Sequence, residues 1–128
     1  YLAITHGKID SKIKTMKDNL ISYDNNKKIV QKAISYLNIV KTSSEYSLVE
    51  LNPITGRKHQ LRKQLYNIGN PIVGDDKYFT NRKLDKSKKK NYKLMLHAYK
   101  IKFMIENVKY NFKANYNTEF EYFLKKYF

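Results

Sequence analysis

The sequence predicts an α+β domain: a mixed, mostly antiparallel sheet with a few flanking helices. Three observations carry that prediction. "VKYNFKANY" at 108–116 alternates apolar and polar residues, with Val108, Tyr110, Phe112, Ala114 and Tyr116 on one face and lysine or asparagine on the other. "IVQKAISYLNIVKT" at 29–42 and "YSLVELNPI" at 46–54 are rich in β-branched and aromatic residues and bounded by turn residues. Two segments switch to helical spacing, one after Gly56 and one after Asn117.

In chain order, "YLAITH" at 1–6 reads as a short strand closed by Gly7. Residues 8–28 are polar and weakly patterned, with a turn at "YDNNKK", 23–28. The long strand 29–42 then pairs with 46–54 as a hairpin through "SSE" at 43–45, and Pro53 and Gly56 end it. Leu61, Leu65 and Ile68 follow a helix repeat, His59, Arg62, Lys63 and Tyr66 fall opposite them, and Gly69 stops it. "NPIVGDDKYF" is a tight loop, and 80–93 an exposed basic excursion that could act as a phosphate-contacting lid. "LMLHAYKIKFMI" at 94–105 reads as one strand, turned at Glu106-Asn107 into the alternating strand, whose aromatic face is expected in the core. Thr118 and Glu121 form a capping box that opens a last helix, with Phe120, Phe123, Leu124 and Tyr127 as its buried stripe. No repeat or Gly/Ser linker divides the 128 residues, so they form one unit.

The chain carries a formal charge of +15, with 26 basic residues against 11 acidic ones. A surface this positive attracts polyanions, because each phosphate neutralised releases condensed counterions. Drift toward the A/T-rich codons of Lys, Asn, Ile, Tyr and Phe would inflate that charge without selection for binding. No run of about 18 apolar residues offers a membrane span. No cysteine is present, which excludes disulfides and thiolate chemistry. The histidines at 6, 59 and 97 have no metal-ligand spacing, and no Gly-rich phosphate loop occurs. His97, in an apolar strand, is expected to be a packed, hydrogen-bonded sheet residue.

Drift of that kind favours lysine over arginine. Only three arginines occur, Arg57, Arg62 and Arg82, and two of them fall in "TGRKHQLRK" at 55–63. Arginine presents a planar fork that grips phosphate or carboxylate in two places, whereas lysine is a point charge. Arg57 falls where a loop enters a helix, near the free N–H groups that favour an anion. The junction of Arg57, Lys58, His59, Arg62 and Lys63 could therefore hold a phosphate, a carboxylate partner, or both; equally, these could be surface residues of a basic helix.

"PITGRKHQLRKQLYNIGNPIVGDDKYF", residues 53–79, resembles the C-terminal motif of the RluA-type pseudouridine synthases, P-x-T-G-R-x-H-Q-[IL]-R-x-H-L followed by G-x-P-I-x-G-D-x-x-Y. "YLAITHG" at 1–7 resembles that family's Y-x-A strand and "LHA" at 96–98 its late strand, so the likeness runs nearly end to end. One departure is Gln64, where the family usually has a second histidine.

The resemblance implies an isomerase that breaks the C1′–N1 bond of a uridine, turns the base and rejoins it through C5, with no metal or organic cofactor. Its substrate would be structured RNA, ribosomal RNA foremost, in the cytoplasm. By position Tyr1 would stack on the base and accept a proton, Arg62 would pair with the catalytic aspartate, and Leu65 would line the pocket. Arg57, Lys58, His59 and Lys63 would contact RNA. The family's aspartate lies in an H-R-L-D-x-x-T-S-G segment ahead of the Y-x-A strand, and none of Asp10, Asp18, Asp24, Asp75 or Asp85 has such surroundings. Residues 1–128 are therefore expected to be the C-terminal portion of a synthase catalytic domain, inactive alone, with an exposed sheet edge along 1–6 or its neighbours. The other reading is a non-catalytic basic RNA-binding module derived from the same fold.

Overall fold

The computed structural model describes residues 1–79 and 92–128. Most of the basic excursion expected at 80–93, Arg82 included, lies outside the described residues. Among the described residues seven strands and two helices follow in the order β1 (Leu2–His6), β2 (Thr15–Asp24), β3 (Lys27–Thr42), β4 (Tyr46–Pro53), α1 (Gln60–Asn67), β5 (Leu96–His97), β6 (Lys100–Ile105), β7 (Val108–Lys113) and α2 (Thr118–Tyr127). Five strands form one sheet in the order β2-β3-β4-β1-β5, antiparallel throughout, and β6 and β7 form a separate two-stranded sheet. The α+β architecture with a mostly antiparallel sheet is thus as the sequence predicts.

Four expectations need correction. Residues 15–24, too polar to read as a strand, form β2, because the 16-residue β3 offers it a full antiparallel ladder from Thr15↔Tyr36 to Asp24↔Lys27. The hairpin turn falls at Asn25 and Asn26, whose φ of 48° and 64° are values that asparagine tolerates and tight two-residue hairpins require. The apolar run 94–105 is two strands in different sheets, broken at Ala98 and Tyr99, where Tyr99 turns inward and its hydroxyl donates to Glu50. The alternating segment does form β7, but its aromatic face is open: Val108, Tyr110 and Phe112 are all exposed. The last helix is capped by Asn117, whose side chain accepts from the Phe120 N–H, one residue ahead of the expected capping box.

The expected free edge along β1 is also absent. That strand sits between β4 and β5, and beyond β5 the loop after α1 bonds to it through His6 N to Pro71 O and Val73 N to Ile4 O, both 2.9 Å. Leu2, Ala3, Ile4 and Thr5 are consecutively buried, so both faces of the strand are covered. This placement matters for the site, because it ties the "PIVGD" loop to the strand that begins at Tyr1. Gly74 makes the fit possible: its φ is +85°, and a Cβ there would meet the Lys93 carbonyl oxygen at 2.1 Å. Phe120 and Phe123 of α2, fully buried, close the core against Tyr46, Tyr92 and His97.

Candidate functional site

Helix α1 is short, and its buried face carries two glutamines beside two leucines: Gln60, Leu61, Gln64 and Leu65. Buried amides must find partners, and these two do so on β3. Gln60 donates from Nε2 to Ile34 O (3.1 Å) and Ser35 Oγ (2.8 Å), while its Oε1 accepts from Thr55 Oγ (2.6 Å) and the Arg57 N–H (3.0 Å). Gln64 Oε1 accepts from Ser35 Oγ at 2.6 Å, and its Nε2 donates to Met16 O at 3.0 Å. Thr55, in turn, accepts the Ile34 N–H at 3.0 Å. The Thr55-Gly56-Arg57 loop is therefore tied to the sheet at each end, and Arg57 itself donates from Nε to Lys32 O at 3.1 Å. The helix begins at Gln60, later than its spacing suggests. His59 takes the N-cap position in the left-handed conformation, φ 53°, without a side-chain cap.

Arg62 leaves α1 toward the loop after it. Its Nε donates to Asp75 Oδ2 at 2.8 Å and its Nη2 to Oδ1 at 2.7 Å, a two-pronged grip on a carboxylate whose side chain is fully buried. Asp75 Oδ1 also accepts the N–H groups of Lys77 (3.0 Å) and Tyr78 (2.9 Å). Burial alone would raise the Asp75 carboxyl; the Arg62 guanidinium and the two backbone donors outweigh it and hold the group below its usual value. The same turn brings the Tyr78 hydroxyl to 2.9 Å from His59 Nδ1 and puts the Tyr78 ring under Arg62, 5.1 Å from the guanidinium carbon. Desolvation, then the charges of Arg62, Lys77, Lys58 and Lys63, lower His59 below the ordinary histidine value.

Between these elements and the start of β1 lies a cleft of about 390 Å³. Tyr1, Leu94 and Leu96 line it together with Pro53, the Thr55–Arg57 loop, His59, Gln60, Leu61 and Arg62. An apolar cleft with a few convergent polar groups is the usual form of a small-ligand site. Among the described residues no carboxylate lines it.

The structure thus brings together Tyr1, Arg57, His59 and Arg62. Lys58 and Lys63 stand beside them without lining the cleft, near enough for both charges to act on His59. Leu65 is fully buried and is not part of the cleft wall; it lies one helical turn beyond Arg62 and packs in the core. Gln64, the departure from the family motif, completes a polar network. Site roles for Asp75 and Tyr78 went unread in the sequence, because their partners lie 13 and 19 residues away. The i, i+4 pair Gln60 and Gln64, flanking the leucines, was the available signal for the buried network. His97 is packed between Tyr116 and Phe120, as expected, but its Nε2 is buried with no hydrogen-bond partner among the described residues. Among the described residues no group of His, Asp and Glu could hold a metal ion, and no helix is long and apolar enough to cross a membrane.

A family model described as RNA pseudouridylate synthase matches residues 1–67. The tRNA pseudouridine synthase C of Haemophilus ducreyi is 37% identical over 118 residues, covering 77% of this chain and 48% of that protein. The ribosomal large subunit pseudouridine synthase D of Borreliella burgdorferi is 34% identical over 123 residues, 95% of this chain and 36% of that protein. The ribosomal large subunit pseudouridine synthase C of Buchnera aphidicola is 37% identical over 114 residues, 80% of this chain and 36% of its own length. The chain therefore spans between about a third and a half of these relatives. Two human proteins named RNA Pseudouridylate Synthase Domain Containing share the fold. Number 4 superposes with a TM-score of 0.70 at 25% identity, over 97% of this chain and 59% of that one. Number 1 gives 0.72 at 21%, over 89% and 52%.

Proposed function

The chain belongs to the RNA pseudouridylate synthase family, and we propose that it is the C-terminal portion of a catalytic domain that converts uridine to pseudouridine in structured RNA. Ribosomal RNA is the substrate on this reading, in the cytoplasm; two of the three relatives above carry the ribosomal large subunit in their names. The observation that supports it most is the cleft, which an exposed tyrosine at the head of β1 lines together with Arg57, His59 and Arg62.

The isomerisation breaks the N1–C1′ bond of uridine, turns the base and joins C5 to C1′. A proton leaves C5 and N1 gains one, so the atoms balance without a redox partner. Tyr1 stacks on the base and accepts the C5 proton. Arg57 and His59, with Lys58 and Lys63 at the rim, hold the phosphates of the flipped nucleotide. Arg62 keeps an attacking carboxylate in line with C1′ by means of the donors that Asp75 leaves unused. On this reading the attacking aspartate comes from a part of the catalytic domain other than residues 1–128.

The test is tritium release from RNA labelled at C5 of uridine. The 128-residue chain should release none above background, and the same chain extended through its upstream reading frame should release tritium at catalytic rates. An extended protein that binds RNA but releases no tritium would overturn the enzyme reading in favour of a binding module.

A further inference from the structure

The β6–β7 hairpin sorts its residues by face through its register. The register pairs Lys100 with Lys113, Lys102 with Asn111 and Met104 with Lys109, so four lysines share one face of a two-stranded sheet. All four are exposed, and none forms an ion pair with a carboxylate among the described residues. Lys100 and Lys113 stand directly opposite each other, an arrangement that costs stability unless an anion lies over it. The hairpin is anchored rather than dangling. Ala114 N donates to Tyr99 O at 2.7 Å, and the buried Tyr99 donates its hydroxyl to Glu50 on β4.

The lysine row also begins next to the cleft. Lys100 follows Leu96, a cleft residue, by four positions. We propose that the lysine face of the β6–β7 hairpin is a second RNA-contacting surface, which holds the backbone phosphates of the strand flanking the nucleotide in the cleft. The proposal rests on the reading of this chain as part of an RNA-modifying enzyme, and adds to it where the substrate runs after leaving the site. The charge is complementary to a phosphodiester chain, and the spacing of a β ladder offers a contact every second residue along each strand.

The experiment is a salt titration of RNA binding by the full 128-residue chain. Two variants are compared with it: one with Lys100, Lys102, Lys109 and Lys113 all changed to Gln, and one with the exposed Lys8, Lys12, Lys27 and Lys28 changed to Gln. At about 0.7 per phosphate contact, the hairpin variant should flatten the log–log slope by about 2 to 3, and the control variant should leave it nearly unchanged. An unaltered slope for the hairpin variant, or equal flattening by both, overturns the proposal while leaving the enzyme reading intact. A parent chain that binds no RNA at all overturns both. Loss of affinity for polyglutamate without loss for RNA would overturn it in favour of an acidic protein partner. Protection of the unmodified chain from lysine acylation by bound RNA gives a reading that needs no variant. The four hairpin lysines should be shielded ahead of the other four, and uniform shielding would contradict the assignment.

Discussion

Arg62 and Asp75 meet in a bidentate ion pair, at 2.8 and 2.7 Å, across 13 residues of chain. The pair answers why this lysine-rich chain keeps an arginine there: a single ammonium cannot satisfy both oxygens of a buried carboxylate in fixed geometry. It also carries the turn that sets Tyr78 against His59. Asp75→Asn should therefore cost about 3 kcal/mol of stability, the scale for leaving one partner of a largely desolvated pair uncompensated. Urea denaturation monitored by circular dichroism would measure it; a loss below about 0.5 kcal/mol would mean the pair is only a surface contact.

The same carboxyl gives a pH signature. Its folded pKa lies below the usual value, so the unfolded chain binds the proton more readily at acid pH. The stabilisation from Asp75 is complete above the unfolded value, about 3.9, and is lost as pH falls through the folded one. Thermal midpoints should decline below about pH 4, and Asp75→Asn should lose its share of that acid limb. Parallel declines in both proteins would remove Asp75 from the explanation.

Gln64 carries a third prediction. Its amide accepts from the Ser35 hydroxyl and donates to Met16 O inside the core, so Gln64→Leu leaves the Ser35 O–H without its acceptor and Met16 O without this donor. The expected loss is about 2 kcal/mol, the cost of unsatisfied buried polar groups. Gln64→His, which restores the residue usual in the family motif, should lose less. A leucine variant as stable as the parent would show that the network is dispensable.

Those glutamines also mark where sequence reading stops. The strands β3 and β4, the Asn25-Asn26 turn and the stripe of α2 were legible because apolar spacing and turn chemistry are local. Strand β2 was not: only Met16 and Leu20 of its ten residues are buried hydrophobics, and its strand state comes from pairing with β3. The alternation at 108–113 was read correctly as a strand and wrongly as core, because periodicity specifies which residues share a face and not what covers it. In the cleft, Tyr1, Arg57, His59 and Arg62 were found from the motif. The Asp75 and Tyr78 contacts depend on how the "PIVGD" loop folds back against β1, a long-range event without a local signature.

His59 supplies a fourth prediction. Desolvation and four neighbouring cations lower its pKa in the free chain. A phosphate bound at Arg57 and His59 offsets those cations, so RNA should raise the value and draw in a proton. Titration of the His59 ring by NMR should give a midpoint below about 6.5 in the free chain and a higher one with RNA bound. RNA affinity should accordingly strengthen as pH falls from 7 to 5.5. A midpoint unmoved by saturating RNA would place the phosphates elsewhere.

The central claim, that this cleft is where uridine is isomerised, is tested most directly by single-turnover tritium release from the enzyme that contains this segment. The comparison is between Arg62→Lys and Lys58→Ala, with RNA dissociation constants measured alongside. Lysine at 62 keeps the charge but loses the two-pronged grip on Asp75 that fixes the direction of the remaining donors, and a displacement of about 1 Å can cost about a hundredfold in rate. The account predicts a roughly hundredfold slower Arg62→Lys enzyme with unchanged RNA affinity, and a Lys58→Ala enzyme of normal rate and slightly weaker binding. An Arg62→Lys enzyme that binds RNA weakly yet reacts at the normal rate once saturated would contradict it, and would make Arg62 a phosphate contact.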